Sequence, residues 1–515
     1  MKAWPWSRLI VLWAILAFCS SIPYIAGWAA TPTGEQYLGR IISAPGDVAA
    51  YYSNMVQASH GHLLFLNNFT AEPQHARLFE PIWLVGGWLM FLTHAGPALM
   101  YHILRLIAIF PLLMVLWRWV SKLTSDNQRR WMMMLITVSS SGLGWLGLIW
   151  TKLPLGFDAW VAESNTFLAM THSPLFLLSQ ALMAWLILWA WEGLIEGRPV
   201  RWWGAWAALL AMNHPYDIVT LAAVVGVFWC FALPTHRRRA AQFLLQLVWL
   251  IPVGLYYFWT LREPALAGWT KQNLDPSGSI ARILFGYAWM ILAGAFGFII
   301  LIRQKKTTSL AIIIWVVLGS ILVYLPFIHF QRRLSSGLDI PFTLLGGYAV
   351  AYGVQKIRTT AFRLTAFAIV TTMLAITNLH LISITAEHLF RGQAPYPAYM
   401  TADEQTILQA IRSHVPDGQP IVSDIWVGND VAGLTGKTVV LGHGQQTLEV
   451  DHKLGLWDEY LRTTTTQPRR LEILHELGAK WIVWQAEADN EYQPAQDALL
   501  APVEVTTTMG LYRLK

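Results

Sequence analysis

Residues 79–94 read FEPIWLVGGWLMFLTH. Whether this apolar run crosses a bilayer decides the topology of the whole chain. It falls short of the roughly 20 apolar residues a span needs, and two glycines interrupt it. The basic residues settle the matter, because cytoplasmic loops collect Lys and Arg. With Lys2 and Arg8 inside, the apolar run 7–28 places the loop 29–97 outside. A crossing at 79–94 would then put Arg118, Lys122, Arg129 and Arg130 outside, whereas a helix lying on the outer surface puts them inside. The second reading obeys the rule. The same parity places Arg198, Arg201, Arg237, Arg238, Arg239, Arg303, Lys305, Lys306, Lys356, Arg358 and Arg363 inside, provided the short segment 202–212 crosses.

The clear spans are 7–28, 98–119, 131–150, 174–195, 216–233, 240–260, 281–302, 309–329, 341–355 and 362–385. With 202–212 they make about eleven. The expected fold class is a polytopic α-helical membrane protein with outer juxtamembrane helices and a small C-terminal α/β soluble domain. The N-terminus is expected in the cytoplasm and the C-terminus outside, across a cytoplasmic (inner) membrane. The run 7–28 exceeds a signal-peptide core of about 7–15 residues and reads as a retained span.

Composition agrees. Only 13% of the 515 residues are charged, against about 25% in soluble domains, and 28 are Trp, which gathers at membrane interfaces. The net charge of +6 is two unlike parts: 26 basic against 13 acidic residues before position 386, and 10 against 17 after it. Most of the first set lies at the cytoplasmic face, so the basic balance is no evidence for nucleic acid. Cys19 and Cys230 lie in apolar runs and read as small buried hydrophobes. No CxxC, HExxH or Gly-rich phosphate loop occurs.

The domain division is 1–385, membrane-embedded with the outer loop 29–97, and 386–515, soluble. The tail opens with the Pro-rich stretch 394–397. Helices are expected at 403–414, 451–462 and 467–477, and strands at 420–425, 437–441, 480–484 and 510–514, an α/β alternation.

The outer loop contains Pro45-Gly46-Asp47-Val48-Ala49-Ala50-Tyr51-Tyr52, a turn signal followed by a helix to about Ser59. Asp47 can cap that helix. It can also present a carboxylate at the membrane face to take a proton from a hydroxyl. Glu72 and Glu80 each precede a Pro, with His75 between them. Glu72 and His75 read as ligand contacts or as groups that assist a metal, and equally as solvated loop residues or helix-start caps. His102 and Arg105 share a helix face just inside the second span, where an ionisable group is a functional candidate or snorkels. Segment 201–214 is about 20 Å long as a helix. Asn213, His214 and Asp217 would therefore line an outward cavity or sit satisfied in a hairpin. Glu163, Asn165 and His172 suit sugar hydroxyls or loop capping. His443, after a predicted strand, reads as structural.

These features, in their order, resemble the GT-C superfamily of polytopic membrane glycosyltransferases, in particular an uncharacterised bacterial branch. The resemblance rests on GDVAAYYSNMVQASHGHLLFLNNFTAEPQHARLFEPIWLVGGWL (46–89), YHILRLIAIF (101–110), SSGLGWL (140–146), ESNTFLAMTHSPLF (163–176), NHPYD (213–217), FQRRLSSGLDIP (330–341) and VVLGHGQQTLEVDHK (439–453). Each piece is a loose motif; their order and topology carry the likeness.

The resemblance implies a hexosyl- or pentosyltransferase that takes a sugar from a polyprenyl-phosphate donor at the outer face, with inversion. It makes Asp47 the catalytic base. Many relatives carry paired acids in this loop, whereas Asp47 is followed by Val48, so no metal site is expected there and no cofactor is implied. Arg332 and Arg333 break the charge rule by lying in an outer loop. With Arg105 they are the expected ligands of the donor phosphate, and Asp339 is the expected orienting acid for the pair. Tyr51, Glu72, His75, His102, Glu163, Asn165, His214 and Asp217 are the sugar and acceptor candidates. The rival reading is a non-catalytic lipid or glycan transporter or scaffold. It meets no inverted repeat, and the ionisable groups cluster at the outer ends of spans.

Overall fold

The computed structural model describes residues 4–40, 45–394, 397–486 and 492–515. Lys2 and residues 395–396 of the Pro-rich stretch lie outside that set. The chain divides into two units. One comprises Met1–Pro23, Ile103–Leu255 and Leu274–Glu387; the other comprises Tyr24–His102, Tyr256–Asn273 and His388–Lys515.

Among the described residues seven helices are long and apolar enough to cross a membrane: Trp6–Ala29, Pro97–Leu123, Asn127–Ile149, Pro174–Leu194, Asp217–Thr235, Arg237–Thr260 and Ile280–Arg303. The pair Thr360–Leu374 and Ile376–Phe390, bent by 58°, makes an eighth if it counts as one span. The expectation was about eleven. Segments 202–212, 309–329 and 341–355 form helices of 11, 15 and 17 residues, Trp203–Asn213, Thr308–Leu322 and Asp339–Gln355. At 1.5 Å per residue each is shorter than a hydrocarbon core of about 30 Å.

In the first unit, basic residues expected at the cytoplasmic face converge on one buried acid. Arg118, Lys122 and Arg198 all pair with Glu192, which is 1% exposed. A buried carboxylate in apolar surroundings is tolerable only when paired in this way. The cluster clasps the helices Pro97–Leu123 and Pro174–Leu194.

In the second unit the helix Pro45–Ser59 packs between Pro81–Thr93 and Ile425–Thr435. The run 79–94 thus yields a helix of 13 residues, too short to span. Its Gly87 gives close approach: a Cβ there would lie 2.3 Å from the Ala58 side chain and 2.5 Å from the Met55 carbonyl. Strand β1 (Gln36–Tyr37) pairs antiparallel with β2 (Tyr399–Met400). The strands β3 (Ile421–Val422), β4 (Trp481–Gln485), β5 (Leu500–Val505) and β6 (Met509–Leu514) form a sheet in the order β3-β4-β6-β5. Only β3–β4 is parallel.

The alternation along β4 sends Trp481 and Val483 to one face and Ile482 to the other. On the first face they join Leu38, Ala49, Ala50 and Phe69 of the outer loop with Ile407, Ile411 and Val431. On the other face Ile482 joins Leu456, Trp457, Ile473, Leu474 and Tyr512. The outer loop and the tail therefore share one core. The helices expected at 403–414, 451–462 and 467–477 form as Ala402–His414, Val450–Leu461 and Gln467–Glu476. Segment 437–441 makes only a bridge, Val439 to Ile421. The helix Ile425–Thr435 and β5 were not expected.

Candidate functional site

In the second unit Asp47 lies in the first turn of the helix Pro45–Ser59, where the helix dipole favours a carboxylate. Its side chain is 51% exposed, and Oδ1 is 3.3 Å from Nε2 of His443, itself buried. Gly46 makes room: a Cβ at that position would lie 3.3–3.4 Å from the His443 ring.

His443 belongs to a tightly bonded loop. Its Nδ1 accepts the backbone N–H groups of Gln445 (3.0 Å) and Gln446 (3.1 Å). The Thr447 hydroxyl accepts the N–H of Gly442 and of His443 and donates to the Phe69 carbonyl. The Asn429 amide donates to the Gly442 carbonyl at 2.7 Å, and its oxygen accepts from Arg40 at 2.7 Å. Arg40 also pairs with Asp430, both about 3% exposed. Burial, then the charge of Asp430, pushes Glu404 up to about 9. Burial likewise raises Asp430, against the pull of Arg40.

The other candidates of this unit are distributed elsewhere. Tyr51 stacks on Trp83, 4.4 Å between ring centres, within an aromatic layer that includes Tyr101. Glu72 is bonded to Thr70 and, at 2.6 Å, to Lys453 of the tail. Burial pushes Glu72 up, but the bonds from Lys453 and Thr70 outweigh it and hold the carboxyl below its usual value. His75 is 84% exposed and lies 3.2 Å from Glu263, which Arg77 also pairs. Glu80 accepts from Asn54. His102 contacts the Gly39 carbonyl at 3.0 Å and packs edge-on to Tyr24.

In the first unit Arg332 and Arg333 lie in a short turn, Gln331–Ser335. Both pair with Asp275, whose side chain is 3% exposed. The backbone reinforces the contact, since Arg332 N–H donates to the Asp275 carbonyl at 2.9 Å. Asp339, the acid expected to orient the pair, instead accepts the Thr166 N–H at 2.7 Å. Arg332 and Arg282 each lie 5.0 Å from the centre of the Trp160 ring, and Arg333 lies 5.3 Å from that of Tyr216. Arg282 was not anticipated. Its only sequence signal is a cation in the first turn of the helix Ile280–Arg303, where the dipole disfavours it. Arg332 and Arg333 share the Asp275 carboxylate, and Arg282 adds a third guanidinium against the Trp160 ring that Arg332 also faces.

His214 and Asp217, 3.0 Å apart and buried, adjoin this cluster through Tyr216, whose ring packs on His214. Glu163 is buried, and its carbonyl accepts from Gly337. Asn165 caps the helix Thr166–His172 and donates to Ser140. His172 contacts Thr171 and the Leu168 carbonyl. Arg105 is 1% exposed and donates to Ser20, Ser21 and the Met170 carbonyl. These bonds make it a clasp between chain segments. Among the described residues, no group of three or more His, Cys, Asp or Glu is placed to hold a metal ion.

No protein-family model matches the sequence, and no curated protein matches it. Solved structures do match. ArnT from Cupriavidus metallidurans, in the apo state, matches at 11% identity and a TM-score of 0.52, over 98% of this chain and 98% of that one. The same protein bound to undecaprenyl phosphate matches at 12% identity, a TM-score of 0.52, and 98% and 97% coverage. The mycobacterial arabinofuranosyltransferase AftD matches at 13% identity and a TM-score of 0.52, over 97% of this chain and 40% of that one. The chain has a GT-C-like membrane fold and is a multi-pass membrane protein.

Proposed function

We propose that the protein is a membrane glycosyltransferase. It moves a sugar from a polyprenyl-phosphate donor to an acceptor hydroxyl at the outer face of the membrane, with inversion. The observation that carries this reading is Asp47: a half-exposed carboxylate at a helix start, in contact with a buried imidazole, on a fold shared with ArnT and AftD. A carboxylate so placed suits proton removal from a hydroxyl. That ArnT binds undecaprenyl phosphate supports a lipid-linked donor.

In this reaction Asp47 takes the acceptor proton as the hydroxyl oxygen bonds to the anomeric carbon. The bond from that carbon to the phosphate oxygen breaks, and polyprenyl phosphate leaves. Arg332 and Arg333 hold the phosphate and stabilise its growing charge, with Arg282 as a third cation. His214 and Asp217, beside the arginines, are the sugar contacts the geometry favours. The acceptor, whether glycan, lipid or protein, brings its hydroxyl to Asp47.

The test uses the purified full chain with a panel of radiolabelled undecaprenyl-phosphate sugars and cell-envelope glycan or lipid acceptors. Wild type is compared with Asp47→Asn. Transfer by the wild type and a fall of at least 100-fold in the variant is the expected result. Undiminished transfer by the variant removes Asp47 from the role of base. No transfer of any sugar by the wild type favours the transporter or scaffold reading.

A further inference from the structure

Two backbone N–H groups, from Gln445 and Gln446, converge on Nδ1 of His443. An N–H needs an acceptor, so Nδ1 is the bare nitrogen and the ring proton sits on Nε2. Nε2 is the atom that faces Asp47 Oδ1 at 3.3 Å. The contact is therefore an N–H donated to the carboxylate, in a tautomer set by the loop and not by Asp47. From these contacts we infer that His443 is a positioning residue for Asp47: it holds the carboxylate ionised and aimed, on a support made by Asn429 and Arg40. The inference rests on the reading of Asp47 as base and adds the tail's part in it.

The support is over-determined. Asn429 has both ends of its amide bonded, the oxygen to Arg40 and the nitrogen to the carbonyl just before His443. That pattern admits one orientation of the amide. Arg40 is held in turn by Asp430. The second anchor is Thr447, which ties Gly442 and His443 to Phe69 of the outer loop. Packing fixes the ring as well, because Phe69 lies edge-on to it at 5.7 Å. The charged groups of this network are Arg40, Asp430 and Glu404, and His443 is a titratable group in contact with Asp47. A buried imidazole held this firmly on one tautomer does more than fill space beside an acid. A donated hydrogen bond favours the ionised form of a carboxyl group, and a fixed donor restricts the direction of the remaining lone pairs.

The experiment follows the pH dependence of carbodiimide modification of Asp47 in the full-length protein, read by peptide mass spectrometry. This probe needs no knowledge of the sugar. His443→Ala is expected to raise the midpoint of Asp47 titration by roughly half to one pH unit. His443→Gln, whose amide keeps a donor at the Nε2 position, is expected to restore it. Asn429→Ala, which frees the loop, is expected to give a smaller upward shift. A merely structural histidine would change thermal stability and leave the midpoint in place. Equal midpoints for wild type and His443→Ala overturn the inference. If that variant does not fold, a His443→Gln midpoint displaced as far as that of Asn429→Ala overturns it instead. Failure here is separate from failure of the base assignment, which Asp47→Asn decides by transfer alone.

Discussion

Arg282 and Arg332 share one indole: each guanidinium lies 5.0 Å from the centre of the Trp160 ring. Two like charges stay this close only when something offsets their repulsion. The ring face supplies part of the offset, and Asp275 supplies part through its pairing with Arg332 and Arg333. A phosphate would offer these guanidinium groups further oxygen acceptors. Undecaprenyl phosphate, without any sugar, is therefore expected to bind the detergent-solubilised protein. Replacing Arg332 and Arg333 together by Ala should weaken that binding by at least about 10- to 100-fold, the worth of one charge-assisted hydrogen bond. Arg282→Ala should weaken it less. Native mass spectrometry or thermal-shift titration reads the effect. Unchanged affinity in the double variant sinks the phosphate assignment.

Arg105 should behave differently. Its guanidinium is 1% exposed and already bonded to Ser20, Ser21 and Met170. Arg105→Met removes donors and leaves oxygens unpaired in a dry interior, at a cost of about 2–4 kcal/mol. The unfolding midpoint of the full chain should fall while the affinity for undecaprenyl phosphate stays within twofold. A selective loss of binding at unchanged stability would return Arg105 to the donor site.

The sequence made Asp47 and the Arg332–Arg333 pair visible for a physical reason. Each is a local contradiction: an acid after a turn signal in a loop otherwise poor in acids, and two cations on the wrong side of a charge rule. Asp275 offers no such contradiction, and its significance lies in partners 57 and 58 positions away; Arg282, a cation at a helix start, shows its place only through Trp160, far off in sequence. His443 is 396 positions from Asp47, so no local pattern joins them. The short helix of segment 79–94 was legible because length and charge parity agreed. The shared core of outer loop and tail was not, because nothing local to Ala49, Ala50 or Phe69 points to Val431 and Val483, which pack on them from the distant tail. The helix Ile425–Thr435 was hidden by its own β-branched and Gly content. Its ends, however, were readable in Asp424, which caps it, and Gly436, which closes it at φ 70°.

The buried pair Arg40–Asp430 gives a test of that core. Arg40→Met leaves a carboxylate without its cation among apolar neighbours, at a cost of about 3–5 kcal/mol. Asp430→Leu added to it removes the stranded charge, so the double variant should recover much of the loss. Chemical denaturation of the full chain, followed through the Trp residues of the tail, measures both. A double variant no better than Arg40→Met would show that the pair holds no uncompensated charge when split.

Glu404 makes the same region sensitive to pH. Burial and the neighbouring Asp430 raise its carboxyl from an ordinary 4.5 to about 9. Between those values the folded chain keeps a proton that the unfolded chain has released. The unfolded state then binds fewer protons, so stability falls as pH rises through that window. The contribution is fully present below about pH 4.5 and is lost once the pH passes about 9. Other groups add their own slopes, so the informative quantity is the difference between two chains. Glu404→Gln stays neutral in both states, and its unfolding midpoint should decline less than that of the wild type between pH 6 and pH 9. Parallel declines would mean that Glu404 ionises alike in the folded and unfolded chain.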